Sequence, residues 1–425
     1  MNTALFTLAL RSAWNRRGVL SLVVASIALS TLLLVGIERI RHEVRDNFSQ
    51  AVSGTDLIVG ARTGPVQLLL YAVFRIGSAT NNISWQAVQM LDQHRAVAWT
   101  LPIALGDSHR GFAVVGTRAA YFERFRYGEK QALELAQGRA FVDGIGGVFD
   151  VVIGAEVARR LGYTLGQRVV LSHGDGAIAA NDHADKPFTV VGILAATGTP
   201  VDRSLHVSLE AIEALHIDWQ AGVPIASQAV PADQLAQHDL TPRSVTAVLV
   251  GLKTRAAVFS VQRQIANHRA EPIMAVLPGV ALDELWEVIG IGERGLLAVG
   301  ALVSVVSLAG LVAVILAGLA QRRRELAILR AVGCGPRALL GLLAIEGALV
   351  TLAGVALGLL TGALLLALGA DLVQQHTGLR PGLGWPRADE WRWVAAVLLG
   401  GWCASLLPGW RAYRLSLADG LSPRS

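Results

Sequence analysis

Four long apolar stretches decide what kind of molecule this chain can be. A helix needs about 20 apolar residues to cross a hydrocarbon layer roughly 30 Å thick. Residues 18–37 meet that length without a single charge. No small-x-small cleavage site follows before Glu38-Arg39, so the stretch reads as a retained signal anchor, not a removed leader. Residues 295–320 form the second stretch and residues 338–370 the third, which is long enough to tilt or project beyond a bilayer. Residues 394–407 are short for a span. Trp391, Trp393, Trp402 and Trp410 extend them at the interfacial levels that tryptophan prefers, which places a fourth span over 391–410.

Short-loop arginines orient the spans, because cytoplasmic loops carry the basic excess. Arg11, Arg16 and Arg17 precede the first span. Arg322, Arg323, Arg324, Arg330 and Arg337 fill the loop 321–337 against one acid, Glu325. Arg411, Arg414 and Arg424 follow the last span, whereas the loop 371–390 holds Arg380 and Arg387 against Asp371, Asp389 and Glu390. Both termini and the loop 321–337 are therefore expected in the cytoplasm, with residues 38–294 outside it. The expected location is the inner (plasma) membrane of a bacterium, crossed four times. Residues 1–17, with Leu5, Leu8, Ala9 and Trp14, read as an amphipathic segment lying on the membrane lipid.

Charged residues make up 16% of the chain, against about 25% in soluble proteins, and the deficit sits at the two ends. Lys130, Lys186 and Lys253 are the only lysines, so arginine supplies the net charge of +5. No basic tract with interleaved aromatics occurs, which argues against a nucleic-acid partner. Cys334 falls in the 321–337 loop and Cys403 inside a span, so neither a disulfide framework nor a cysteine metal site is expected.

Residues 38–294 have a soluble pattern. Strands are expected at 56–60, 97–105, 111–116, 244–252 and 272–277, with helices at 84–95 and 254–268; Ser84 is the N-cap of the first. These strand–helix–strand units predict an α/β subdomain built from 42–116 and 240–282. A β-rich insertion occupies 117–239, with strands at 148–153, 168–172 and 188–194 and a short helix at 155–161. A charged helical stalk, 283–294, leads into the second span. The segment 172–186 reads as a solvated hairpin loop; His173, Asp175, Asp182, His183 and Asp185 are its possible ligands for a divalent metal. Asp202, His206, His216 and Asp218 read as scattered surface residues.

The loop 321–337 holds more than a basic flank. Leu326, Leu329 and Arg330 keep helical spacing, and Gly333 and Gly335-Pro336 stop the helix. The run Arg324-Glu325-Leu326-Ala327-Ile328-Leu329-Arg330-Ala331-Val332-Gly333, followed by Glu346 in the next span, resembles the hallmark of the permease family that includes the MacB, LolC/LolE and FtsX proteins, the type VII or mechanotransmission ABC permeases. The outer pattern Val151-Val152-Ile153-Gly154, Leu161-Gly162, Gly166 and Phe188 to Ile193 is similar to that family's periplasmic core domain. The closing segment Pro408, Arg411-Ala412-Tyr413-Arg414-Leu415 and Asp419-Gly420-Leu421 is similar too, although Gly420 departs from the usual small apolar residue. The implied fold is a four-helix membrane protein with a large α/β and β-rich extracytoplasmic domain between helices one and two.

The resemblance implies that Arg323, Arg324, Glu325, Leu326, Leu329, Arg330 and Gly333 form a coupling helix that docks on an ABC ATPase. No G-x-x-x-x-G-K-[ST] occurs in the sequence, so that ATPase is expected as a separate cytoplasmic subunit, using ATP and Mg2+. This chain then binds no cofactor and is no enzyme; no nucleophile elbow or triad spacing appears. Glu346 is costly inside a span and is expected to pair with arginines at the cytoplasmic boundary. Gly354, Gly358 and Gly362 line one helix face, for packing within the chain or for pairing two permease copies as a homodimer. The implied role is export, lipoprotein release or other envelope handling, with a periplasmic adaptor or lipoprotein as possible partner. The alternatives are an FtsX-like signal transducer and a transporter component linked to zinc.

Overall fold

The computed structural model describes residues 16–77, 79–174, 183–220, 223–224, 230–321, 328, 331, 335–377 and 386–414. Along the chain, α1 (Arg17–Ala51) is followed by β1 (Leu57–Ala61), α2 (Trp85–Asp92), β2 (Val97–Ile103), β3 (Asp107–His109), β4 (Phe112–Thr117) and β5 (Leu135–Gly138). Next come β6 (Asp150–Ile153), α3 (Ala155–Leu161), β7 (Arg168–Val169), β8 (Ser172–His173), β9 (Phe188–Leu194), β10 (Ser204–Ser208) and α4 (Leu209–His216). The remainder holds β11 (Ala247–Leu252), α5 (Val258–Ala266), β12 (Ile273–Val276), α6 (Pro278–Gln321), α7 (Pro336–Thr377) and α8 (Ala388–Arg414). Two compact units result, one of the apolar helices and one centred on residues 44–288.

In the helical unit, α1, α6, α7 and α8 are each long and apolar enough to cross a membrane. Ile27, Leu34, Leu311, Ile315, Val350, Val355, Val394 and Val397 are buried between them. Leu22, Leu302, Leu360 and Leu368 point outward and are more than half exposed, as suits helices whose solvent is lipid. Helix α7 runs seven residues past the expected span end at 370, and α8 begins at Ala388, before the expected 391.

The second unit begins with a four-stranded antiparallel sheet in the order β12-β1-β11-β2. Numbered among themselves, its strands lie 4-1-3-2, the split β-α-β arrangement of ferredoxin-like domains. All of β1 is buried: Leu57, Val59 and Ala61 face one core and Ile58 the other, as a period of two requires. Helices α2 and α5 cover the first face through Val88, Leu91, Val261 and Ile265. Ser84 does cap α2, its hydroxyl accepting from the Ala87 N–H at 3.2 Å. The other core contains Phe74, Tyr121, Phe122, Ala51, Ala281 and Leu282. Within this unit Phe48 of α1 stacks on Phe74 and meets Trp286 of α6 edge-on.

The second sheet follows the path β7-β9-β6-β10-β4-β3-β8, with β5 on β9. Its two end strands, β7 and β8, are separated in sequence only by Val170 and Leu171, so the sheet curls round until its ends meet, like a small barrel. Val114, Val151, Ile153, Phe188, Val190, Leu205 and Val207 fill it. The expectation for 111–116 is corrected here. That strand does not join the α/β subdomain: β4 lies parallel to β10 in the second sheet, in register from Ala113–Ser204 to Thr117–Ser208. Alternation reveals a strand but not its partner. Ser208 caps α4, accepting from Ala211 N at 3.1 Å, and Ala211, Ala214 and Leu215 pack on the sheet. The cap fixes where α4 begins, and its last residue is His216.

Candidate functional site

The coupling residues Arg323, Arg324, Glu325, Leu326, Leu329, Arg330 and Gly333 lie outside the described residues, as do Asp175 and Asp182. In the helical unit, Glu346 is buried in α7 and Arg16 Nη1 stands 3.9 Å from it, while Arg16 Nη2 donates to the Val314 carbonyl at 2.9 Å. The glycine face of α7 is taken up by α1. A Cβ on Gly354 would come within 2.7 Å of Ile27, one on Gly358 within 2.6 Å of the Ala28 carbonyl, and one on Gly362 within 3.2 Å of Leu32. In this chain the stripe packs against α1.

The second unit brings His173 together with residues that the sequence left apart. Antiparallel pairing sets His173 of β8 directly opposite Asp107 of β3. His216, at the last position of α4, completes a triangle: His173 Nδ1 is 3.0 Å from Asp107 Oδ1 and 3.1 Å from His216 Nε2, and the latter is 3.3 Å from Asp107 Oδ1. His216 Nδ1 donates to the Ile212 carbonyl at 2.9 Å, so in the neutral ring the Nε2 lone pair faces the triangle. His183 stands beside it, its ring 5.3 Å from His216 and 4.7 Å from Trp219. Its N–H bonds the Leu171 carbonyl and its own carbonyl accepts from Lys186 N. Lys186 in turn is sealed in the interior, its ammonium 3.0 Å from both carboxylate oxygens of Asp218.

Two sequence expectations fail here. The described ends of segment 172–186 are not a wholly solvated loop: His183 and Lys186 are each 1% exposed, although Gly174, Ala184 and Asp185 are on the surface. Asp202, His206 and Asp218 are buried and His216 largely so, not scattered over the surface. Partners make this tolerable: Asp202 accepts from Thr197 N, Thr197 Oγ1 and Gly198 N, each at 2.8 Å, and Asp218 is paired with Lys186. His206 sits between the Tyr121 and Phe122 rings.

Electrostatics separate the groups. Burial opposes ionisation of Asp107, but hydrogen bonds from His173 and His216 and the neighbouring imidazoles outweigh it and hold the carboxyl at about 2. His216 is also opposed by burial, and the hydrogen bond to Asp107 and its charge raise it. Burial brings His183 down to about 4 and His206, with the Arg75 charge, to about 3. A second cluster, Glu38, His42 and Asp389, belongs to the helical unit. There cations already answer the carboxylates: Arg41 is 3.1 Å from Glu38 and from Glu293, and Arg392 pairs with Asp389.

Residues 19–268 match the MacB-like periplasmic core domain, and residues 297–418 match the FtsX-like permease C-terminal domain. The chain belongs to the MacB/LolC/FtsX family of ABC transporter permeases. The lipoprotein-releasing system transmembrane protein LolC of Neisseria meningitidis serogroup B is 25% identical over 228 residues, 52% of this chain and 50% of that protein. The permease thus spans about half the length of this curated relative. Among solved structures, the periplasmic region of MacB from Actinobacillus actinomycetemcomitans aligns over 56% of this permease and 95% of that chain, at 11% identity and a TM-score of 0.34. The extracellular domain of the noncanonic ABC-type transporter YknZ from Gram-positive bacteria aligns over 52% and 99%, at 14% identity and a TM-score of 0.30.

Membership makes this chain a membrane permease component of an ABC transporter, with a MacB-like periplasmic core domain. Asp107 is the site residue that sequence reading missed. Its only signal is the triplet Asp107-Ser108-His109, three polar residues between apolar strands, all of them buried.

Proposed function

We propose that this permease couples ATP hydrolysis by a separate cytoplasmic ATPase to a change of shape in its periplasmic domain. The observation that carries the reading is the continuity of α6. It starts with Ala281 and Leu282 in the core of the periplasmic unit and runs 44 residues without a break to Gln321, the first residue of the arginine loop. At 1.5 Å per residue that is about 65 Å of helix, longer than a bilayer is thick. Helix α1 gives the same support, running from Arg17 to Ala51, with Phe48 packed in the periplasmic unit. A stiff helix held in one domain core and ending at a cytoplasmic lever transmits displacement without a channel. On this reading both termini lie in the cytoplasm, Arg324, Glu325, Leu329 and Arg330 dock on the ATPase, and two permease halves assemble around two ATPases. The cargo is handled on the periplasmic side, as in export or lipoprotein release.

The test purifies the full chain with its copurifying ATPase and measures ATP turnover. Glu325→Lys combined with Arg330→Glu should cut recovered ATPase activity at least tenfold while leaving the melting temperature unchanged. Full retention of activity in that double variant would overturn the reading.

A further inference from the structure

We propose that Asp107, His173 and His216, with His183 beside them, form a zinc site in the periplasmic domain. Three ligand atoms, one carboxylate oxygen and two imidazole nitrogens, converge with edges of 3.0, 3.1 and 3.3 Å. Tetrahedral zinc binds such atoms at about 2.0–2.1 Å, which requires neighbouring ligands roughly 3.3 Å apart. An ion at that distance from all three would stand about 1 Å out of their plane, with one position left for a fourth ligand.

The orientation of the ligands fits as well. The bond from His216 Nδ1 to the Ile212 carbonyl is the outer-shell contact that fixes the tautomer of a metal-binding histidine. Among the described residues no lysine or arginine pairs with Asp107, in contrast to the Glu38–His42–Asp389 cluster with its arginines. A divalent ion would supply the missing positive charge.

Protons shared between imidazole and carboxylate could hold the same triangle together without metal. They leave His183 unexplained. That side chain is buried to 1%, its Nε2 has no hydrogen-bond partner among the described residues, and its ring packs against His216. The His183 nitrogens lie outside the set of ligand atoms within 4.8 Å of one another, so a turn of that ring toward the triangle would account for its uncompensated nitrogen by closing the fourth position. Two or three imidazoles with one carboxylate select zinc and its late first-row neighbours over magnesium or calcium, which prefer oxygen. The side chains of His173 and His216 are 34% and 25% exposed, so an ion can enter and leave without unfolding.

The experiment uses the full chain in detergent, stripped with a chelator and titrated with zinc chloride, with bound zinc counted by elemental analysis. One equivalent should bind with micromolar or tighter affinity, unaffected by millimolar magnesium. Asp107→Ala and His216→Ala should each weaken binding at least a hundredfold, and His183→Ala about tenfold. His94→Ala, which removes an exposed histidine bonded to Gln264, should change nothing. Should the variants fail to fold, X-ray absorption of the zinc-loaded wild type decides, since two or three imidazoles must appear in the first shell. Absence of stoichiometric zinc, full affinity in a folded His216→Ala protein, or a shell without imidazole would each overturn the site. None of these outcomes depends on the ATPase, so the coupling model stands or falls separately.

Discussion

His206 shows how much one buried ring can weigh. It is fully enclosed, and burial together with the Arg75 charge keeps it neutral down to about pH 3, while the unfolded chain binds a proton near 6.5. Between those values the unfolded state holds the extra proton, so stability falls as the pH drops, by about 1.4 kcal/mol per pH unit. His206→Phe keeps the aromatic packing with Tyr121 and Phe122 and removes the titration. Melting of the full chain between pH 6.5 and 4 should lose one proton's worth of slope in that variant; an unchanged slope would refute the assignment. The same residue marks where sequence reading stopped. Histidine and aspartate in a β-rich stretch look like surface, and only the pairing of distant strands reveals that His206 is enclosed and that Asp107 faces His173. The candidate metal ligands come from β3, β8 and α4, and no spacing rule links positions 107, 173 and 216.

Whole elements were far more legible. The N-cap at Ser84, the helix 155–161 and the strands of the α/β subdomain follow from local pattern, because caps and alternation are local physics. What pattern could not supply was partnership, as β4 shows. Two element-level predictions follow from contacts between distant segments. Lys186→Met would leave Asp218 buried without its cation and should cost about 3–5 kcal/mol in chemical denaturation. Adding Asp218→Leu should recover most of that loss; if the double variant is no better than the single, the pair does not hold the turn. In α7, Gly358→Val drives a side chain into the Ala28 backbone and should destabilise the helical unit by about 1–3 kcal/mol, read as a lower melting temperature in detergent. Gly369→Val, at a position where an added Cβ meets nothing within 4 Å, should melt within a degree or two of wild type.

At the scale of the molecule, hydropathy alone delivered the four spans, since the bilayer demands long apolar helices and little else produces them. The family motif in the loop 321–337 delivered the rest of the functional reading. If α1 and α6 transmit force, uncoupling them should leave each unit folded. A Pro at Ile291 in α6 should break the helix, abolish ATP-driven work, and leave zinc binding and the periplasmic unit's melting transition unchanged. Loss of zinc binding in that variant would mean that the periplasmic unit depends on an intact helix for its own fold.

The burial of Lys186 gives the molecule a built-in clock. Of three lysines, Lys130 and Lys253 are exposed and Lys186 is sealed beside the imidazole cluster. An amine-acylating reagent would mark the two open positions at once and the third only when the turn from His183 to Lys186 springs apart. If ATP turnover changes the shape of the periplasmic domain as proposed, the lag of that third mark, followed by mass spectrometry, would time that change without any engineered label.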